Sequence, residues 1–160
     1  MAFHYLARLG GPVNRRYFNV MVGAVRVAPT LADIEGIARG ALATLPGQFA
    51  GLVADVVLHV EDFPSPEIEQ EFELASPFDL LGLYQGVAIK DKSFDQVAQD
   101  IDRIFLYRRP ILDYWCESGE DLAHVVRHVM IHEIGHHFGF SDADMEAIEN
   151  QTGPLTEVDV

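Results

Sequence analysis

One cysteine, Cys116, is all that 160 residues provide, so no disulfide can form within the chain. That scarcity suits a reducing compartment, and a cytoplasmic location is the expectation. No run approaches 18 apolar residues, which excludes a membrane-spanning helix. Acidic residues are missing altogether before Asp33, where the only charged side chains are Arg8, Arg15, Arg16 and Arg26. From Asp33 onward the balance inverts: all 25 acids face 7 bases, and the chain as a whole carries a formal charge of -14. So acidic a surface makes a poor nucleic-acid binder, because phosphate contacts need Lys and Arg. Neither nucleic acid nor membrane is therefore expected as a partner. The hydrophobic share of 49% and charged share of 22% are those of a globular domain with a proper core.

Residues 1–28 read as an N-terminal extension, arginine-bearing and broken by Gly10, Gly11 and Pro12. Its readings include a disordered arm, a weak organelle transit signal, or an upstream stretch preceding a true start at Met21. Residues 29–160 read as a single domain, with no repeat and no linker.

Thr30 and Asp33 have the spacing of a helix-capping box, and the apolar residues Leu31, Ile34, Ile37, Ala38, Ala41, Leu42 and Leu45 follow at helical spacing. Pro46 and Gly47 end that helix. Strands are expected over Leu52–Val60, Leu80–Val87 and Asp102–Arg109, the last closed by Pro110. In the acidic stretch 67–79, Glu67, Glu69, Glu71 and Glu73 alternate with other residues; between its prolines it reads as a loop rather than an edge strand.

Ser118 and Asp121 then form another capping-box variant, and a helix from Leu122 is apolar on nearly every face, which marks it as buried. Gly139 is a natural left-handed stop, with a short helix expected over about 142–150 and a frayed tail after Gly153-Pro154.

The chemistry lies on that buried helix. His132 and His136 are four residues apart, so their imidazoles share a face and can reach one zinc ion at about 2.0–2.1 Å. Glu133 is turned by about 100°, beside the metal rather than on it, where it can take a proton from the attacking water. After Gly139 the chain can fold back to bring Asp142 in as the third ligand, leaving a fourth position for water, as in catalytic zinc sites. A His2Asp set also suits other first-row ions. His124, His128, His132 and His136 form one stripe; His128 lies close enough to stand behind the ligands or to serve as a spare one. His137 points away and is excluded as a ligand. Tyr84, Tyr107 and Arg108 are candidates by residue type for holding substrate or stabilising an oxyanion.

His132 to Asp142 resembles the H-E-x-x-H-x-x-G-x-x-D signature of zincins with an aspartate third ligand. The stretches Leu80–Gly86, Tyr107–Ile111 and Val129–His137 are similar to the small bacterial metallopeptidases called minimal zincins. The resemblance covers roughly residues 30–150. It implies an α+β fold: a small mixed β-sheet packed against helices, with a buried active-site helix across it. It also implies one zinc ion per chain and a metalloendopeptidase acting on peptide or protein substrates. Larger metzincins place a methionine turn well downstream beneath the metal; here the methionine past the site is Met145, three residues after Asp142. A substrate strand is expected to add along the edge of Leu80–Val87. Two other readings stand beside the peptidase: a metal-dependent hydrolase of another substrate, and a zincin-fold module that holds metal without turnover.

Overall fold

The computed structural model describes residues 3–6, 27–45, 51, 53, 55–86 and 102–151. Its elements in chain order are β1 (Phe3–Leu6), α1 (Leu31–Ala43), β2 (Val57–Glu61), α2 (Pro66–Glu71), a single 3-10 turn (Pro77–Asp79), β3 (Leu80–Gln85), β4 (Arg103–Tyr107), α3 (Arg108–Ser118), α4 (Leu122–Phe138) and α5 (Asp142–Gln151). The sheet order is β1-β3-β4-β2. Strands β2 and β4 run parallel, with Val57 opposite Arg103, whereas β3 is antiparallel to both β4 and β1. A mixed three-stranded core is thus extended by β1, and the fold is α+β as expected.

The capping box at the start of α1 forms as read: Thr30 Oγ1 accepts from the Asp33 backbone N–H at 3.2 Å, and Asp33 Oδ2 accepts from the Thr30 N–H at 2.7 Å. The bonds satisfy two backbone donors that helix geometry leaves without partners. They orient Ile34, Ala38 and Ala41 into the core.

Four expectations need correction. The strand expected over Leu52–Val60 begins only at Val57; Leu52 and Ala54 lie outside the described residues. The acidic stretch is neither loop nor edge strand at its start. Ser65 accepts from the Ile68 N–H, Pro66 occupies the first turn, and Pro66–Glu71 is helical. Alternating glutamates misled because proline at a helix start and acids in the first turn favour a helix locally, whatever the period. Arg108, Arg109 and Pro110 do not close β4 but open α3, where proline within the first turn removes no hydrogen bond. Finally, β3 is no edge: it is paired on both sides, so no strand can add to it. The expected end of β3 at Val87 and the frayed tail after Gly153 lie outside the described residues, as does most of the N-terminal extension apart from β1.

The cap of α4 is Asp121, whose side chain accepts from the N–H groups of Ala123 and His124; Ser118 instead accepts from Glu120 N–H. Helix α4 ends at Gly139, which adopts φ 75°. Val125, Val126, Val129, Met130 and Ile134 join Leu81, Tyr84, Ile104, Leu106, Ile111 and the buried face of α1 in the main core. A second cluster of Leu80, Leu83 and Tyr107 is covered by Ile68 and Phe72 of α2 and its C-cap. The amphipathic helix α5 closes the third side of α4 through Met145 and Ile148 against Ile131.

Candidate metal centre and active site

Two glycines let this helix approach its neighbours closely. A Cβ on Gly82 would stand 2.7 Å from Val129 Cγ1 and 3.1 Å from Glu133 Cγ, so β3 touches α4 at the motif itself. On the opposite side a Cβ on Gly135 would overlap the thioether of Met145, which is fully buried. Gly135, between the two motif histidines, therefore seats α5 directly on the helix that carries the chemistry.

Glu133 has no exposed surface. Its Oε2 accepts from the backbone N–H of Tyr84 at 3.0 Å. A carboxylate taken out of water requires such a donor, and the Tyr84 N–H fixes which way it points. The neighbouring phenols are insulated as well. Burial pushes the Tyr84 hydroxyl well above its ordinary range, with Asp102 adding to the effect; burial does the same for Tyr107, with Glu61 and Glu133 adding. Both phenols therefore stay protonated.

His132 and His136 lie on the same side of α4 with ring centroids 5.9 Å apart. Burial draws His132 down to about 4; nearby His128 and His136 push the same way, and Glu149 and Asp142 oppose them. A neutral imidazole is the form that offers a lone pair to a metal. Asp142 stands exposed in the first turn of α5. The reciprocal bonds of Ser141 and Asp144 hold that turn: Ser141 N–H and hydroxyl donate to Asp144 Oδ2 at 3.0 and 2.6 Å.

Among the described residues, the one group of three whose ligand atoms all lie within 4.8 Å of one another is His128, His132 and Glu149. His136 and Asp142 stand outside that trio. Glu149 lies outside the zinc motif, and the signal that points to it is the helical spacing of Asp142, Met145 and Glu149, which places them on one face. His128, weighed as a neighbour of the ligands, has its Nδ1 2.7 Å from Glu149 Oε1.

The remaining candidates separate clearly by position. Tyr84 is buried, with its ring stacked on that of His137 at 3.9 Å, and it serves Glu133 through its backbone. His137 is buried in this stack, away from the stripe. Tyr107 is buried in the second cluster. Arg108 ties three segments together: its Nε donates to Asp62 Oδ1 at 2.7 Å and its Nη1 to the Pro29 carbonyl at 2.9 Å.

A buried His-Glu-x-x-His helix is thus laid across a small mixed sheet, with its glutamate fixed by a strand N–H. The chain belongs to the Zincin-like metallopeptidase family, whose sequence profile matches residues 53–152. No curated protein matches the chain. The family implies zinc, and donors of a type that fits it are brought together here: the imidazoles of His128 and His132 and the carboxylate of Glu149 have ligand atoms within 4.8 Å of one another. No helix among the described residues is long and apolar enough to cross a membrane.

Proposed function

We propose that this chain is a zinc-dependent endopeptidase, with His132, His136 and Asp142 as the ligands and Glu133 as general base. The observation that carries this reading is Glu133 itself. A carboxylate with no exposed surface sits one residue from the imidazole of His132, oriented by the Tyr84 N–H. Such a group is costly to keep in a fold unless it has a task. Zinc would supply Lewis-acid polarisation of the peptide carbonyl and acidify the attacking water. Glu133 takes the water's proton and passes it to the leaving amine. The Tyr84 N–H holds one carboxylate oxygen and so fixes the orientation of the side chain for that transfer. Substrates are peptides or proteins, with neither nucleic acid nor membrane as a partner, and the cytoplasm is the proposed location.

The complete burial of Glu133 also favours a second reading, a zincin-fold module that holds metal without general turnover. Cleavage of a mixed peptide library, followed by mass spectrometry for wild type beside Glu133→Gln, separates the two. New termini from wild type alone establish the peptidase; an intact library in both samples, with zinc bound, supports the module.

A further inference from the structure

The seam between α4 and α5 carries a second set of ligand-type side chains, one helical turn from the motif pair. On α4, His128 and His132 are successive members of the histidine stripe, with ring centroids 4.1 Å apart. From α5, Glu149 reaches across with its Oε1 2.7 Å from His128 Nδ1 and 3.8 Å from His132 Nε2. We propose that His128, His132 and Glu149 form a binding site for a divalent transition-metal ion, distinct from the His132–His136–Asp142 set and sharing His132 with it.

The distances suit the assignment. Donor atoms at about 2.0–2.2 Å from a tetrahedral ion lie roughly 3.4 Å from one another. The three atoms here already lie within 4.8 Å of one another, so small side-chain rotations suffice to bring them onto an ion. Their donor types are two imidazoles and a carboxylate, a set that zinc and its first-row neighbours accept, with one position left open. The side chains are 28%, 14% and 17% exposed, which leaves the seam accessible to an ion while removing most competing water. The helices meet rigidly here, because Met145 is seated on Gly135 one turn along. His124, the next histidine of the stripe, turns instead toward Glu120 at 3.6 Å, so the set ends at His128.

The sharing of His132 has a consequence for any activity of the motif set. An ion on His128 and Glu149 draws on the imidazole that the motif set needs, so zinc in excess of one equivalent acts against the first site. This site does not depend on peptide hydrolysis, and it can stand or fall separately from it.

The test uses the full chain and zinc alone, with affinity read by competition against a chromophoric chelator. A His136→Asn/Asp142→Asn double variant lacks two of the three motif ligands and should still bind one zinc ion. Adding Glu149→Gln, or His128→Asn, to that background should weaken binding at least tenfold. Helical circular dichroism in chelator checks that each variant is folded. As a measurement without substitution, zinc added to the wild type should shift the imidazole nitrogen resonances of His128 by the second equivalent. The proposal is overturned if the double variant binds no zinc, if Glu149→Gln leaves its affinity unchanged, or if His128 resonances stay in place. Peptide cleavage that survives in wild type under any of these outcomes would leave the peptidase reading intact.

Discussion

Gly135 and Met145 are in such close contact that a single added carbon on the glycine would overlap the methionine sulfur. Helix α5, which carries both Asp142 and Glu149, is thereby set against the histidine stripe by a small-to-large fit. Gly135→Ala should gain about 1 kcal/mol in helix propensity but lose about 1–3 kcal/mol through overpacking, because Met145 is fully buried and has little room to move. Met145→Ala alone should cost about 2–5 kcal/mol through the cavity it leaves. Combining them should cost less than the sum, since the smaller residue frees the space that the new methyl needs. Denaturant unfolding of the two single variants and the double checks this; strict additivity would rule out the contact.

A parallel argument holds on the other side of α4. Gly82→Ala would drive a methyl into Val129 and the Glu133 side chain, and toward the Phe105 carbonyl at 3.3 Å. Backbone on one side and a buried carboxylate on the other cannot give way easily, so a loss of about 1–3 kcal/mol is expected. The hydrogen bond from Tyr84 N–H to Glu133 should be strained too. Activity should therefore fall by more than zinc affinity does. Pairing Gly82→Ala with Val129→Ala should recover part of the stability.

Helices and the motif were legible because their signals are local. Thr30 with Asp33, Gly139 at the end of α4, and the four-residue step from His132 to His136 are each short patterns with one geometric meaning. The depth of Glu133 was not legible, since it depends on Gly82 in a strand some fifty residues away. Glu149 was missed for the same kind of reason: its place opposite His128 follows from the packing of α5 on Gly135. The Pro66 helix shows the reverse failure. Alternating glutamates drew attention to a period of two, while Ser65 and Pro66 already marked a helix start. The role of β3 as an inner strand depends on β1, which no local pattern around Leu80–Gln85 reveals.

The start of α5 makes a pH prediction. Hydrogen bonds from the Ser141 side chain and backbone hold the Asp144 carboxyl below its ordinary value of 3.8. A carboxyl depressed in the folded state contributes stability above its unfolded value and loses it as pH falls through the folded one. The thermal stability lost in Asp144→Asn should therefore be present at pH 6 and diminish as the pH falls and the Asp144 carboxyl is protonated. Ser141→Ala should cost about 1 kcal/mol at neutral pH, as loss of a helix cap usually does. A difference between wild type and Asp144→Asn that stays constant as the carboxyl is protonated would contradict the role of this bond.

Glu133→Gln separates function from stability. Glutamine keeps the size of the side chain and an acceptor for the Tyr84 N–H, while removing a charge from a site with no exposed surface. In chelator, the variant should therefore melt at the same temperature as wild type or higher, as replacements at strained functional sites often do. Cleavage should fall by at least a hundredfold, the usual contribution of a general base. A melting temperature several degrees lower would show that the carboxylate holds the fold together, and its burial would then need no catalytic explanation.

Metal removal gives the last prediction. A ligand that binds only the folded chain stabilises it by RT ln(1 + [L]/Kd), about 2.7 kcal/mol when free zinc is one hundred times its dissociation constant. Helix α5 is joined to α4 by a small apolar cluster and by the Glu149 contact to the histidine stripe, to which an ion would add, whereas the larger apolar core joins α4 to the sheet and α1 without it. Chelation should therefore lower the melting temperature without abolishing folding. Amide hydrogen exchange should rise most in α5 and stay low in β3, β4 and the middle of α4. Equal loss of protection in the sheet would mean that the metal supports the core, and that the seam between the two helices is not the element it holds.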